Sequence, residues 1–242
     1  MKFRRKAGTV SDDIEGDGAP ETGAEASDDR TSGDSADLSE GNGDGPYDYD
    51  DLPDDGVGRV DLGALLVAPV AGRDLRVQVD ERSGEVRSVV LAGPDGAVEL
   101  RAYAAPRNGD LWSEVRPQIA ADAARRGGTA TEQDGPFGTE LLCEVQVQTG
   151  DGQTGNQTSR VIGFNGPRWL LRATFLGRPA VEQAALEEWR SAIGNVAVRR
   201  GSQAMPVGEA LPLTLPEEIK EQAQQAQEQA ARAAAQGRAP EA

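Results

Sequence analysis

The chain has 242 residues, 25 basic against 41 acidic side chains, no histidine and one cysteine, for a net charge of −16. The absence of histidine removes the usual general base near neutral pH and the commonest metal ligand. A histidine triad and a Cys/His zinc site are therefore excluded, and a single Cys143 allows no disulfide within the chain.

Charge divides the chain. Residues 1–10 hold four bases and no acid, and residues 11–56 hold seventeen acids against one base, Arg30, a charge of −16. Residues 57–216 carry seventeen Arg, no Lys and nineteen acids, so the acidity belongs to one segment and not to the folded part. The basic start is followed by Ala-Gly-Thr-Val-Ser-Asp-Asp and not by an apolar stretch. No secretion signal and no membrane span of about 18 apolar residues is read, and a cytoplasmic location is the default expectation.

Residues 1–56 read as a disordered acidic N-terminal arm. Ile14 and Leu38 are almost its only aliphatics above alanine size, too few to offset an ordering cost of about 1–2 kcal/mol per residue. The arm is read as solubilising or as a contact for a basic partner protein, with Tyr47 and Tyr49, set among Asp48, Asp50 and Asp51, as its one hint of a linear motif. Its removal is expected to leave thermal stability nearly unchanged.

Residues 57–200 read as a single α+β domain. Val60, Leu62, Ala64 and Leu66 alternate, as one edge strand or an extended lead-in. Leu75, Val77 and Val79, then residues 86–91, then Val98, Leu100 and Ala102 form three short strands with tight turns, an antiparallel meander. Asp110 is placed to cap a helix over 111–126, closed by Gly127-Gly128, with Pro117 as a discord inside it. A second meander comes next. Residues 137–149 put Leu141, Cys143, Val145 and Val147 on one face and Glu140, Leu142 and Glu144 on the other, and residues 159–164 return. Asn165-Gly166 reads as a two-residue turn into 169–176, the most apolar and aromatic strand, expected at the centre of the sheet. Residues 179–193 read as a second helix, with Pro179 near its start and Val181, Ala184, Ala185, Leu186, Trp189 and Ile193 on its apolar side, and Val196-Ala197-Val198 read as a last short strand.

Residues 201–216 are a Pro- and Gly-rich extension along the domain. Residues 217–242 contain strong helix formers but one large aliphatic, Ile219, and read as a solvated helix or a disordered tail. The fold class is thus a mostly antiparallel sheet of six to seven strands in two meanders, packed by two helices and flanked by disordered tails.

The search for chemistry yields little. Gly150-Asp151-Gly152-Gln153-Thr154-Gly155 matches a dinucleotide fingerprint, but residues 156–162 read as a strand where that site needs a helix. Cys143 reads as a small buried hydrophobe, with no histidine to activate it. Arg168 and Arg172 beside Trp169 offer a basic, aromatic surface for nucleic acid only if they share a face with Arg199 and Arg200. The competing reading makes Arg168 and Arg172 strand-face partners of Glu140 and Glu144. No cofactor, metal or catalytic residue is assigned.

Several blocks together point to a family. Gly-Arg-Val-Asp-Leu-Gly at 58–63, Ala105-Pro106-Arg107 with Leu-Trp-Ser-Glu-Val-Arg at 111–116, Gly-Pro-Phe-Gly at 135–138, and Gly-Pro-Arg-Trp at 166–169 followed by Leu171-Arg172 resemble the actinobacterial domain-of-unknown-function family numbered 3710, over about residues 57–216. The family's charged N-terminal arm is similar as well, whereas Pro117 departs from its pattern. The resemblance implies no activity or site residue. The element order also looks like a Mog1/PsbP-type α/β/α sandwich, a fold that mostly serves binding and assembly.

From these observations the expected function is that of a non-catalytic protein-interaction or adaptor domain, with Arg168, Arg172, Tyr47 and Tyr49 as candidate contacts. The alternative is a small-ligand-binding protein or an enzyme with an Arg/Asp/Glu site. The two differ in what they require: a deep pocket with convergent perturbed groups for the second, an exposed apolar face or open sheet edge for the first.

Overall fold

The computed structural model describes residues 45–80, 82–148 and 154–216. The expectations for residues 1–44 and 217–242, and for most of the 150–155 loop, lie outside the described residues. In chain order the strands are β1 (Tyr47–Asp48), β2 (Val60–Asp61), β3 (Leu65–Val67), β4 (Asp74–Val79), β5 (Val86–Ala92) and β6 (Gly96–Ala104). Helix α1 (Leu111–Arg125) leads to β7 (Thr129–Gly135), β8 (Gly138–Gln148), β9 (Thr154–Gly166) and β10 (Trp169–Gly177). Three short helices, α2 (Arg178–Val181), α3 (Gln183–Glu187) and α4 (Arg190–Gly194), precede β11 (Ala197–Val198).

The main sheet is antiparallel, in the order β4-β5-β6-β10-β9-β8-β7. Two meanders are joined where β10 pairs with β6, so β10 is the fourth of seven strands, at the centre its apolar content called for. Trp169, Leu171, Ala173 and Phe175 line one face and are all at most 2% exposed. Against that face lie a small sheet, in the order β1-β11-β3-β2, and the three short helices, whose Leu65, Leu186, Trp189 and Val198 share one core cluster with β10. Helix α1 covers the opposite face: Leu111 and Trp112 form a second cluster with Leu141, Cys143, Val161 and Leu170.

Several local expectations are corrected. The edge strand read at 60–66 is a hairpin: Gly63, at φ 83°, turns the chain so that Val60 pairs with Val67. Val79, placed with Leu75 and Val77 by alternation, is 44% exposed because the register shifts between Gln78 and Val79. The turn into β10 is Pro167-Arg168, since Gly166 already pairs with Trp169. Proline presets φ at the first turn position and Arg168 adopts φ 63° at the second. Gly166 is required for another reason: a Cβ there would sit 2.1 Å from the Trp169 ring. The second helix is broken at Glu182, which is extended at φ −107° and ψ 121°, and Val181 is 57% exposed and not on the apolar side. Ala185, Leu186, Trp189 and Ile193 are buried as the spacing predicts.

Helix α1 starts where its cap predicts and runs through Pro117. Pro117 is on the exposed side of the helix, where the ring meets solvent. The Asp110 carboxylate accepts from Ser113 N at 3.0 Å and from Asn165 Nδ2 at 2.7 Å, so one side chain both caps α1 and ties it to the β9–β10 turn. Burial acts to raise the Asp110 pKa but is outweighed by the bonds from Ser113 and Asn165, and the net shift is downward. A depressed carboxyl pKa contributes stability above the ordinary value near 4 and loses it as pH falls through the folded value. Asp110→Ala is expected to cost about 1 kcal/mol, as for a lost N-cap. Asp110→Asn, which keeps a cap but cannot titrate, should flatten the fall of Tm with pH below about 4, as a thermal melt series shows.

The arm's expected end at residue 56 is also corrected. Tyr47 and Asp48 pair in parallel with Ala197 and Val198, and Asp48 Oδ2 accepts from Trp169 Nε1 at 2.7 Å. Removing residues 1–44 is expected to leave Tm unchanged, whereas removing 1–56 strips β1 and leaves the indole N–H without its partner. The second truncation should therefore cost at least about 1–3 kcal/mol more, read as the difference between the two melting curves.

The 201–216 extension runs beside β6 where β5 leaves it, held by isolated bridges and not by a strand of its own. The last β5–β6 pair toward that end is Val89 with Leu100. Beyond it, Leu211 N donates to Ala102 O at 2.9 Å and Ala104 N to Glu209 O at 2.8 Å. Leu213 then bridges to both Val86 and Gly63, which sews the small sheet to the large one.

Candidate functional site: the open half of the sheet beside helix α1

On the α1 face, side chains of β10, β6 and β5 stand in rows set by register. Arg172 is opposite Arg101, and Thr174 opposite Glu99, which is opposite Val90; Leu176 is opposite Ala97, which is opposite Ala92. Helix α1 packs over β7, β8 and β9, so these rows lie beyond its cover. Val90, Ala92, Ala97 and Leu176 are half-buried and belong to neither core cluster. Where α1 meets the open rows there is a groove of about 330 Å³, walled by Ile119, Ala123 and Arg126 on the helix side and by Glu99, Arg172 and Leu176 on the sheet side.

The charges here are unevenly matched. Arg101 Nε donates to Glu99 Oε1 at 2.7 Å, and Arg76 on β4 pairs with Asp74 at 2.8 Å. Arg172 instead lies 5.2 Å from the centre of the Tyr103 ring and meets no carboxylate among the described residues. Arg126 contacts the Asp122 carbonyl of its own helix. The surface thus offers two cations for an outside anion, over a floor of small aliphatic groups. Cys143 lines the groove at 4% exposure. Burial pushes its thiol pKa up, against a smaller opposite pull from Arg126, so it is held as a neutral thiol.

The predicted site residues do not come together. Arg168 sits in the β9–β10 turn, where its carbonyl accepts from Ala105 N at 2.8 Å and from Arg200 Nε at 3.2 Å. Tyr47 lies under the Arg59 guanidinium at 5.8 Å and Tyr49 under that of Arg199 at 4.0 Å. Arg199 also pairs with Asp61 at 2.9 Å. These residues surround the small sheet, while Arg172 is on the far face of the large one. The condition set for a nucleic-acid surface, four arginines on one face, is not met.

The pairing of Arg168 and Arg172 with Glu140 and Glu144 is likewise corrected. The partner of Glu140 is Arg160, and both are buried. Sequence reasoning took Arg160 for an ordinary strand residue; its one signal was a cationic residue in the strand facing Glu140.

Other displaced carboxyls serve local structure. Asp55 is lowered to about 2, first by its bond to Arg59, then by the Val57 amide. Asp80 is lowered by the amides of Ser83 and Arg82, and Glu187 by Arg190. Among the described residues there is no cluster of metal-ligating side chains and no helix long and apolar enough to cross a membrane.

Comparison with known proteins gives a family and no activity. No curated protein matches the chain. A crystal structure from Bacteroides thetaiotaomicron VPI-5482 is similar at 12% identity and a TM-score of 0.36, over 62% of this chain and 51% of that one. The structural neighbours also include the solution structure of cyanobacterial PsbP from Synechocystis sp. PCC 6803, at 12% identity and a TM-score of 0.31, over 61% of this chain and 96% of that one. Neither is similar enough for its role to bear on this one. The family model described as "Protein of unknown function (DUF3710)" matches residues 45–222, starting where the described domain starts, and the chain belongs to that family.

Proposed function

We propose that the chain is a non-catalytic protein-interaction domain, and that its contact surface is the open half of the main sheet on the α1 side. The observation that carries this reading is a sheet face that the described residues leave half uncovered, with aliphatic rows in neither core and an Arg172 that meets no carboxylate among those residues. Half-buried apolar rows rimmed by polar groups suit the core of a contact site. An arginine fork on Tyr103 is pre-oriented for a carboxylate of the partner, which it can grip through two parallel bonds. The acidic residues 11–44 add a second contact, suited to a basic surface of the same partner.

The test is site-specific photo-crosslinking in the source cells. A crosslinker at Thr174 is expected to trap a discrete protein, and Arg172→Glu is expected to abolish the product. A crosslinker at Val181, 57% exposed on the opposite side, is the control. Equal trapping at both positions, or none at Thr174, would overturn the reading.

A further inference from the structure

We infer that the outer edge of β4 pairs, antiparallel and about a two-fold axis at Leu75, with the same edge of a second copy of this chain. β4 is the end strand of the main sheet and pairs only with β5 among the described residues. The direction of its backbone groups follows from the ladder. Gly93 N donates to Gly96 O at 2.8 Å across the β5–β6 turn, so alternate residues from Gly93 back to Val89 bond toward β6. Ala92, Val90 and Ser88 therefore bond toward β4, onto Asp74, Arg76 and Gln78. Leu75 and Val77 are left with N–H and C=O turned outward, and these groups meet no backbone partner among the described residues. An edge of this kind is a template for another strand. β4 holds no Pro and no Lys, and its irregularity lies at Gln78 and Val79, past the groups in question.

Charge names the occupant. Asp74 and Arg76, on either side of Leu75 in sequence, share the α1-side face and bond each other at 2.8 Å, with most of each side chain exposed. Residues directly opposite in an antiparallel ladder share a face, and opposite charges there are favourable where like charges are not. With Leu75 opposite Leu75 of the second copy, each Asp74 falls opposite an Arg76, twice over. Moving the axis to Arg76 sets guanidinium against guanidinium, and moving it to Val77 sets Asp74 against Asp80. The backbone agrees with the first register. Leu75 exchanges two bonds across the axis, and Val77 N reaches the carbonyl of Arg73 in the other copy, whose own N–H is already given to Val70 O at 3.0 Å. On the opposite face Leu75 and Val77, half-buried against the core, gain cover from their counterparts. The other end strand offers no such match, since β7 carries Glu132 and Asp134 and no cation.

The two-fold closes the pair, because each copy has then used its β4 edge. The axis stands perpendicular to the sheet, so the α1-side faces of both copies lie on one side of a continuous sheet that presents Arg172 twice. A partner with two matching sites gains by avidity. That consequence rests on the contact role proposed for this face; the pairing itself does not. A ladder of five residues is short, so the dimer depends on concentration and is not permanent.

Sedimentation of the full chain between about 1 μM and 1 mM is expected to show monomer passing to dimer. Arg76→Asp is expected to weaken association by at least about tenfold, and Asp74→Arg likewise. Both exchanges in one chain are expected to restore it, because opposite charges again stand face to face. The two side chains are exposed, so these variants keep the fold. Oxidation of an equal mixture of Asp74→Cys and Arg76→Cys chains locates the axis. These two positions form a non-hydrogen-bonded pair, about 4.5 Å between Cα atoms and within reach of a disulfide. The mixed disulfide is expected over either homodimer, while Cys143 is buried and stays out of the exchange. A monomer at every concentration would overturn the inference. So would a dimer indifferent to the charge exchanges, or Arg76→Cys chains that link chiefly to one another. Crosslinking from Thr174 to a partner can fail while the chain still dimerises, and the reverse, so the two readings are separable.

Discussion

Trp169→Ala is expected to give one of the largest stability losses of any single substitution in the described domain, about 3–5 kcal/mol, or roughly 8–15 °C of Tm for a domain of this size. Trp169 is 2% exposed on the central strand, and its ring lies on the bare Cα of Gly166. Truncation leaves a void that β6 and β9 cannot close, because each is laddered to β10 from Trp169 to at least Leu176. It also frees Asp48, whose carboxylate accepts the indole N–H. Trp169→Phe separates the two effects: most of the apolar volume stays and the bond goes, for a loss nearer about 1–3 kcal/mol. Asp48→Ala breaks the same bond from the other side, so the double variant should cost less than the two single losses added together. Additivity would mean that β1 is held by something other than this bond. A mild effect of Trp169→Ala would mean that the ring does not fill the core between the two sheets.

The main sheet was legible because its strands carry their own pattern. Alternation marked β4, β6, β8 and β10, and apolar content alone put β10 at the centre. β7 was missed because Thr-Ala-Thr-Glu-Gln-Asp-Gly has no large apolar residue; it is a strand through its ladder to β8. The small sheet was missed as a sheet for a related reason, although Val196-Ala197-Val198 reads as a short strand and β11 is there. Its members are two or three residues long, and β1 and β11 lie 150 residues apart, so no window contains the pairing. Tyr47 and Asp48 were assigned to the arm by composition, which averages over neighbours and cannot see one hydrogen bond to Trp169. The open face was half legible. Arg172 was singled out, but its surroundings depend on where α1 stops covering the sheet, which is a matter of packing and not of strand pattern.

The other large effect is expected at the buried Glu140–Arg160 pair. Glu140 is fully buried and Arg160 is 4% exposed, bonded through Arg160 Nη1 and Glu140 Oε1. Gln133 Nε2 donates to the same oxygen at 2.9 Å, and Arg160 Nε donates to the Ala180 carbonyl at 3.0 Å, so the pair links β7, β8, β9 and α2. Glu140 Oε2 has no partner in the described structure, and Gly135 leaves the carboxylate its room. A buried pair of this kind is weak evidence of net stabilisation, because taking both charges out of water costs much of what their attraction returns. Breaking it is another matter. Arg160→Met strands a carboxylate among apolar groups and is expected to cost about 3–5 kcal/mol. Glu140→Leu strands the guanidinium for a similar loss, eased by the bond Arg160 keeps to Ala180. Replacing both together removes the stranded charge and should recover most of either loss, to within about 1–2 kcal/mol of the natural protein or better. Denaturant melts of the three variants decide it. If the double variant loses as much as the singles combined, the pair itself holds α2 to the sheet, and the bond to the Ala180 carbonyl carries more of the fold than burial of the surrounding aliphatic groups.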